Sequence, residues 1–152
     1  PLPTPTMGKR TEAFRCPSLV SFNGLASYHA RANWDRIFPV IADAVEGIGE
    51  TSKSILALVE SKAAQVWTAE QDDEILSVFL TQVTDHPKRK VCSIIICTGH
   101  DFQQWVQFTK TIESWAASNG CTHMKHDARK GWERILKPYG YQSTHVVLEK
   151  AL

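Results

Sequence analysis

A chain of 152 residues, 43% hydrophobic and 22% charged, has the size and composition of one folded domain with a proper buried core. Its formal net charge of +1 gives no global field to draw in nucleic acid or an anionic membrane. No apolar run approaches the roughly 20 residues of a membrane-spanning helix, and the first residues lack the basic and apolar regions of a secretion signal.

The chain opens with Pro1 to Thr6, a Pro-rich stretch that predicts an extended arm. Pro1 is expected as a mature N-terminus after loss of Met, with Met7 as the alternative start. Residues 1–22 are read as an arm that docks on other proteins, and 23–152 as a single domain. Ser18 to Phe22 can form a short strand and Asn23-Gly24 a turn. From Asn33 to Ile48 the residues Trp34, Ile37, Phe38, Ile41, Val45 and Ile48 form one apolar stripe, which predicts a helix that Pro39 tends to break. Thr51 or Ser52 caps a second helix presenting Ile55, Leu56, Leu58 and Val59. Ala64 to Ala69 and Ile75 to Thr84 read as antiparallel strands joined by Glu70-Gln71-Asp72-Asp73.

From Lys90 onward the pattern is strand, helix, strand, helix, strand. Val91 to Cys97 is apolar and β-branched, as in a strand covered on both faces. Asp101, with Gln104 three residues on, forms a capping box for a helix that buries Phe102, Trp105, Val106, Thr109, Ile112 and Ala116 and stops at Asn119-Gly120. Cys121 to His126 is the next strand, Asp127 caps the next helix, and Tyr141 to Leu148 is the last strand. This order gives a mixed α/β (α+β) sheet, with two N-terminal helices, antiparallel strands and a closing β-α-β-α-β unit.

Two stretches, IESWAASNGC (Ile112 to Cys121) and ARKGWERILKPYGYQ (Ala128 to Gln142), resemble the GNAT superfamily of acyl-CoA-dependent N-acetyltransferases. The second is similar to that family's final helix and Gly-aromatic exit, here Gly140-Tyr141. It looks most like the short GNAT-like proteins encoded among structural genes of tailed bacteriophages. The resemblance implies a GNAT-like fold over roughly Trp34 to Leu152. It also implies either a virion structural or assembly protein, made in the host cytoplasm and carried in the virion, or an active acetyl-CoA-dependent acetyltransferase.

In the GNAT family a glycine-rich motif after the fourth strand holds the cofactor pyrophosphate on backbone N–H groups. The matching residues here are Thr98, Gly99, His100, Phe102 and Gln103, the acetyl-CoA contacts if the cofactor is bound. Only Gly99 keeps the pattern, and Asp101 sets a carboxylate against the donors a phosphate would use. The family's acid tyrosine falls on Leu136, and Val91 to Cys97 carries no carboxylate base. His100 and Tyr139 are left as weak catalytic candidates. No cofactor is therefore expected, and the chain reads as a catalytically degenerate assembly protein.

Cys97, His100, Cys121, His123 and His126 have no Cys-x-x-Cys pairing and read as a chance cluster, so no metal is expected. The cysteines, Cys16 included, form no regular framework and are expected as free thiols. Cys92 and Cys97, five positions apart on one strand, should point to opposite faces. Lys88 to Lys90 reads as a solvated turn, and Trp115, beside its helix's main stripe, as an interface anchor. The partner classes implied are other virion proteins, through residues 1–22, and further copies of the chain. Neither a membrane nor nucleic acid is among them.

Overall fold

Strand pairing dictates the arrangement of the computed structural model, which describes residues 19–99 and 106–152. In chain order the elements are β1 (Ser21–Leu25), α1 (Ser27–Ala32), α2 (Trp34–Gly47), α3 (Ser52–Glu60), β2 (Gln65–Gln71), β3 (Glu74–His86) and β4 (Arg89–Gly99). A 3-10 turn (Val106–Phe108) then leads into α4 (Thr109–Ser118), β5 (His123–His126), α5 (Trp132–Leu136) and a second 3-10 turn (Lys137–Tyr139). The five strands lie in the order β1-β2-β3-β4-β5, antiparallel as far as β4, with β5 parallel to β4. This is the mixed α/β sheet expected. Among the described residues no helix is long and apolar enough to cross a membrane.

One face of the sheet packs against α1, α2 and α3. Ile37, Ile41 and Val45 of α2 and Ile55 and Val59 of α3 meet Val66, Val78, Leu80 and Ile96 from the strands. The stripe that predicts α2 is real except at its end, where Ile48 lies beyond the last turn and is exposed. Pro39 sits inside α2 without ending it; the lost backbone bond is one of many in a helix anchored by its buried face. Trp34 Nε1 donates to Ser52 Oγ at 2.9 Å and ties α2 to the start of α3. Thr51 caps α3 as expected, accepting from the Ser54 N–H while Ser54 Oγ accepts from the Thr51 N–H.

The other face packs against α4. Ile112 and Ala116 meet Trp67, Ala69, Phe79, Cys92 and Ile94, with Phe22 stacked on Phe108 at 4.6 Å between ring centroids. Trp115 belongs to this core, its ring edge-on to Trp67 at 5.3 Å. The helix ends where Asn119-Gly120 predicts. Cys121 N–H reaches the Ala116 carbonyl and Gly120 N–H the Ala117 carbonyl, the paired closing bonds of a Schellman motif. Trp105, the expected capping box at Asp101 and Cys16 lie outside the described residues.

Several expectations need correction. Asn23-Gly24 is not a turn: both lie inside β1, where Gly24 faces Trp67, and a Cβ on Gly24 would come within 3.0 Å of the indole. Ser21 and Phe22, assigned to the arm, already pair with Glu70 and Ala69. The helix α1 between them and α2 carries no readable stripe, because its only buried residue is Ala30.

Asp127 caps no helix. Its N–H bonds to the Ile94 carbonyl, prolonging the β4–β5 pairing, and its carboxylate pairs with Lys125 at 3.1 Å. The helix starts later, after Gly131 in a left-handed conformation.

Residues 141–152 form no strand, although Tyr141 to Leu148 has the composition of one. A strand exists only against a partner, and this segment takes none from its own sheet.

Finally, β4 contains a bulge. Leu80 pairs with Ile96 and Thr81 with Ile94, leaving Ile95 as an extra residue. The insertion reverses the alternation, so Cys92 and Cys97 share the α4 face instead of opposing one another. Both are free thiols.

Candidate functional site

β4 and β5 part company at the bulge. Their parallel pairing runs from Val91↔His123 to Ile94↔His126, and the Asp127 N–H adds the last bond. From Ile96 to Gly99 β4 is paired, among the described residues, with β3 alone. Backbone N–H and C=O groups on that edge have no strand partner among the described residues, so they can receive an extended chain that carries amides.

At the end of this edge stand two of the expected cofactor contacts. Thr98 Oγ1 donates to the Val40 carbonyl at 2.8 Å, so its hydroxyl is engaged toward α2. Gly99, with φ of 145°, lies so close to β3 that a Cβ would meet the Leu76 carbonyl and come within 2.5 Å of Ser77 Cβ. That contact alone requires glycine here, whatever the residue binds. His100, Phe102 and Gln103 lie outside the described residues.

A second concave region lies at the opposite end of β5, a cleft of about 410 Å³ bounded by α4, β5 and Tyr139–Tyr141. Tyr139 borders it at 39% exposure. The polar core of this region is a contact that sequence reading missed. Tyr141 Oη donates to Glu113 Oε1 at 2.7 Å, and the His126 ring packs edge-on to Tyr141 at 4.8 Å. The residues come from a helix, a strand and the tail, and Glu113 sits beside the apolar stripe of α4 like any solvated residue. No local signal marks the trio.

Its electrostatics oppose acid–base work near neutrality. Burial and the adjoining Glu113 push the Tyr141 hydroxyl far above its ordinary range. Burial lowers His126 from 6.5 to about 4, leaving it uncharged, and its Nε2 is buried without a hydrogen-bond partner. Cys92 is raised by burial, and further by the neighbouring Cys121, to about 11, and burial raises Cys97 as well. These thiols are poor nucleophiles at neutral pH. Leu136, where the resemblance places an acid tyrosine, is buried at 3% exposure.

His123 is exposed on β5, while Cys121 precedes the strand and packs on the α4 side. Among the described residues no three His, Cys, Asp or Glu side chains gather as metal ligands would.

Solved structures share the fold. A predicted acetyltransferase from Clostridium acetobutylicum, solved with acetyl-CoA, superposes with a TM-score of 0.67 at 12% identity, over 88% of this chain and 96% of that one. The fold is that of the GNAT N-acetyltransferases. A ribosomal-protein-alanine N-acetyltransferase from Brucella melitensis shares it with a TM-score of 0.60 at 12% identity, over 86% of this chain and all of that one. An aminoglycoside N-acetyltransferase in complex with CoA does so with a TM-score of 0.65 at 12% identity, over 90% of this chain and 97% of that one. No protein-family model matches the GNAT-fold chain, and no curated protein matches it in sequence.

Proposed function

We propose that this chain is an assembly protein built on a GNAT fold that no longer transfers acetyl groups. The observation that carries this reading is Leu136, a buried aliphatic side chain at the place where the resemblance puts the family's proton donor. Neither nearby tyrosine replaces it: Tyr141 is tied to Glu113, and Tyr139 sits on the rim of the cleft bounded by α4 and β5.

The phosphate end of a cofactor site also fits poorly. Gly99 is the one glycine of the loop motif, and its missing Cβ already serves the approach to β3. Asp101 adds a negative charge two residues further along the chain. The wording of Ala128 to Gln142 resembles proteins encoded among tailed-phage structural genes, and a virion is the assembly this suggests. The residues that precede β1 are then the docking arm.

A second reading, an acetyl-CoA-dependent N-acetyltransferase, is favoured by the free edge of β4 from Ile96 to Gly99. That edge could pair with the amides of the cofactor's pantetheine arm, and neighbours in fold were solved with acetyl-CoA or CoA.

Titration calorimetry of the full chain with acetyl-CoA and with CoA separates the two. The expected result is no binding in the micromolar range. Micromolar affinity, together with acetyl transfer to an amine substrate, would replace the assembly reading with the enzymatic one.

A further inference from the structure

We infer that the tip of the β3–β4 hairpin, from Asp85 to Lys90, is a β-ribbon that enters the major groove of duplex DNA and holds its phosphates. The inference does not rest on the reading above; an assembly protein and an enzyme could both carry such a ribbon.

The sequence offers only three basic residues in a turn, but the structure gives that turn a form. β2 reaches no further along β3 than the pair Gln65↔Thr81, and β5 begins its pairing with β4 at Val91. β3 and β4 stay paired past both limits, through Asp85↔Lys90 and His86↔Arg89, and close with Pro87-Lys88. A two-stranded ribbon therefore stands clear of the sheet. Three residues at about 3.3 Å each carry it roughly 10 Å beyond the level of Thr84. The major groove of B-DNA, about 12 Å wide and about 8.5 Å deep, admits such a ribbon.

Cations occupy the tip and both faces. Lys88 is at the turn, and strand alternation sends Arg89 and Lys90 to opposite faces. Lys90 leans toward the end of α4, where its Nζ donates to the Asn119 carbonyl at 2.8 Å. Lys88 and Arg89 are exposed, and neither forms an ion pair with a carboxylate among the described residues. A groove carries phosphates along both walls, so cations on two faces and the tip can reach both. No large apolar side chain lies between Asp85 and Lys90, so the tip has nothing to bury in a bilayer.

The net charge of the chain hides this site. Glu70, Asp72, Asp73 and Glu74 crowd the turn at the other end of β3, and they offset the basic end in the total of +1. At the basic end the exposed Lys62, just before β2, adds a fourth cation. Glu60 there is matched by Arg31 at 3.2 Å, which leaves Asp85 as the carboxylate set against four cations. The two turns lie roughly 40 Å apart along β3, about four screening lengths at 0.1 M salt. A phosphate at the ribbon therefore feels the near end and not the far one.

The test uses the full chain and a fluorescein-labelled DNA duplex of about 20 base pairs, with binding read by fluorescence anisotropy. Phosphate contacts from Lys88, Arg89 and Lys90 predict a log–log salt slope of about −2.7, so affinity should fall about 40-fold between about 50 and 200 mM salt. Lys88→Ala with Arg89→Ala should weaken binding at least tenfold at the lower salt and make the slope shallower by about 2, with circular dichroism unchanged. Lys130→Ala with Lys137→Ala, which removes exposed cations elsewhere, should alter neither affinity nor slope. Absence of binding below about 100 µM at the lower salt overturns the inference, and so does binding indifferent to the ribbon substitutions. Equal affinity for duplex RNA, whose major groove is too narrow for a ribbon, overturns groove entry. Equal binding to vesicles of phosphatidylserine and phosphatidylcholine, lost with the same substitutions, would assign the ribbon to a membrane instead.

Discussion

On the side of α1, α2 and α3 the sheet meets an aliphatic layer, with Ile37, Ile41, Val45, Ile55 and Val59 set against Val66, Val78, Leu80 and Ile96. On the side of α4 it meets aromatic rings, thiols and polar atoms. Trp67 Nε1 donates to Thr81 Oγ1 at 3.1 Å, Tyr141 to Glu113 at 2.7 Å, and His126 keeps a buried nitrogen without a partner. The first face needs mainly volume and shape, which aliphatic side chains supply, and the polar groups named on it are paired, Trp34 Nε1 with Ser52 and Thr98 Oγ1 with Val40. The second face also needs partners for its polar groups, so it is sensitive to conditions that leave the first untouched. Stability against mutation and stability against pH should therefore be distributed differently between the two faces.

The largest effect expected is from truncation. Ile41 and Ile112 are both fully buried, one on each face, and replacing either with Ala should lose about 2–5 kcal/mol. Urea unfolding of the two variants measures this. A loss below about 0.5 kcal/mol for Ile112→Ala alone would mean that α4 docks loosely and that the faces differ in packing as well as chemistry.

Acid should then separate the faces. His126 is held at about 4 in the folded chain against an ordinary 6.5, so between these values the unfolded chain binds the extra proton. The stabilisation is fully present above about pH 6.5 and is lost as pH falls toward 4, by up to about 3 kcal/mol. Unfolding midpoints across this range should drop for the wild type and much less for His126→Leu. Equal slopes would remove His126 as the cause of acid sensitivity.

The smallest effect belongs to the aliphatic side's border. Thr51→Ala removes the side-chain acceptor for the Ser54 N–H and should lower stability by about 1 kcal/mol, with no dependence on pH between 4 and 6.5. A pH-dependent loss in this variant would show that the two faces are coupled through the sheet.

Sequence periodicity reaches the aliphatic face well. The stripe of α2, the Thr51 cap and the strands β2 and β3 each depend on neighbours close in the chain, and their patterns survive folding. Asn119-Gly120 is equally legible, because a Schellman ending is a local device. The features that escape are set by distant contacts. Gly24 belongs in a strand because Trp67, 43 residues later, lies across it. The trio of Glu113, His126 and Tyr141 gathers from three elements. Tyr141 to Leu148 has the composition of a strand but forms none, because composition cannot supply the partner that a strand requires. Of the candidate site, the departure from the glycine-rich motif is plain in the sequence, whereas the free edge of β4 emerges only once β5 is seen to stop at His126.

The extra residue in β4 has a consequence for how this strand can be compared with any other. Up to Ile94 the odd and even positions have one assignment to the two faces; after Ile95 they exchange it. Deleting Ile95 would leave an unbroken strand in which Ile96, Cys97 and Thr98 keep their faces, whereas keeping Ile95 in a regular pairing without the bulge would turn Cys97 toward α2 and Thr98, with the hydroxyl now held by Val40, toward α4. A position-by-position alignment with a strand that lacks the bulge must therefore admit a one-residue offset at Ile95, or it will equate residues on opposite faces for the whole of the edge that follows.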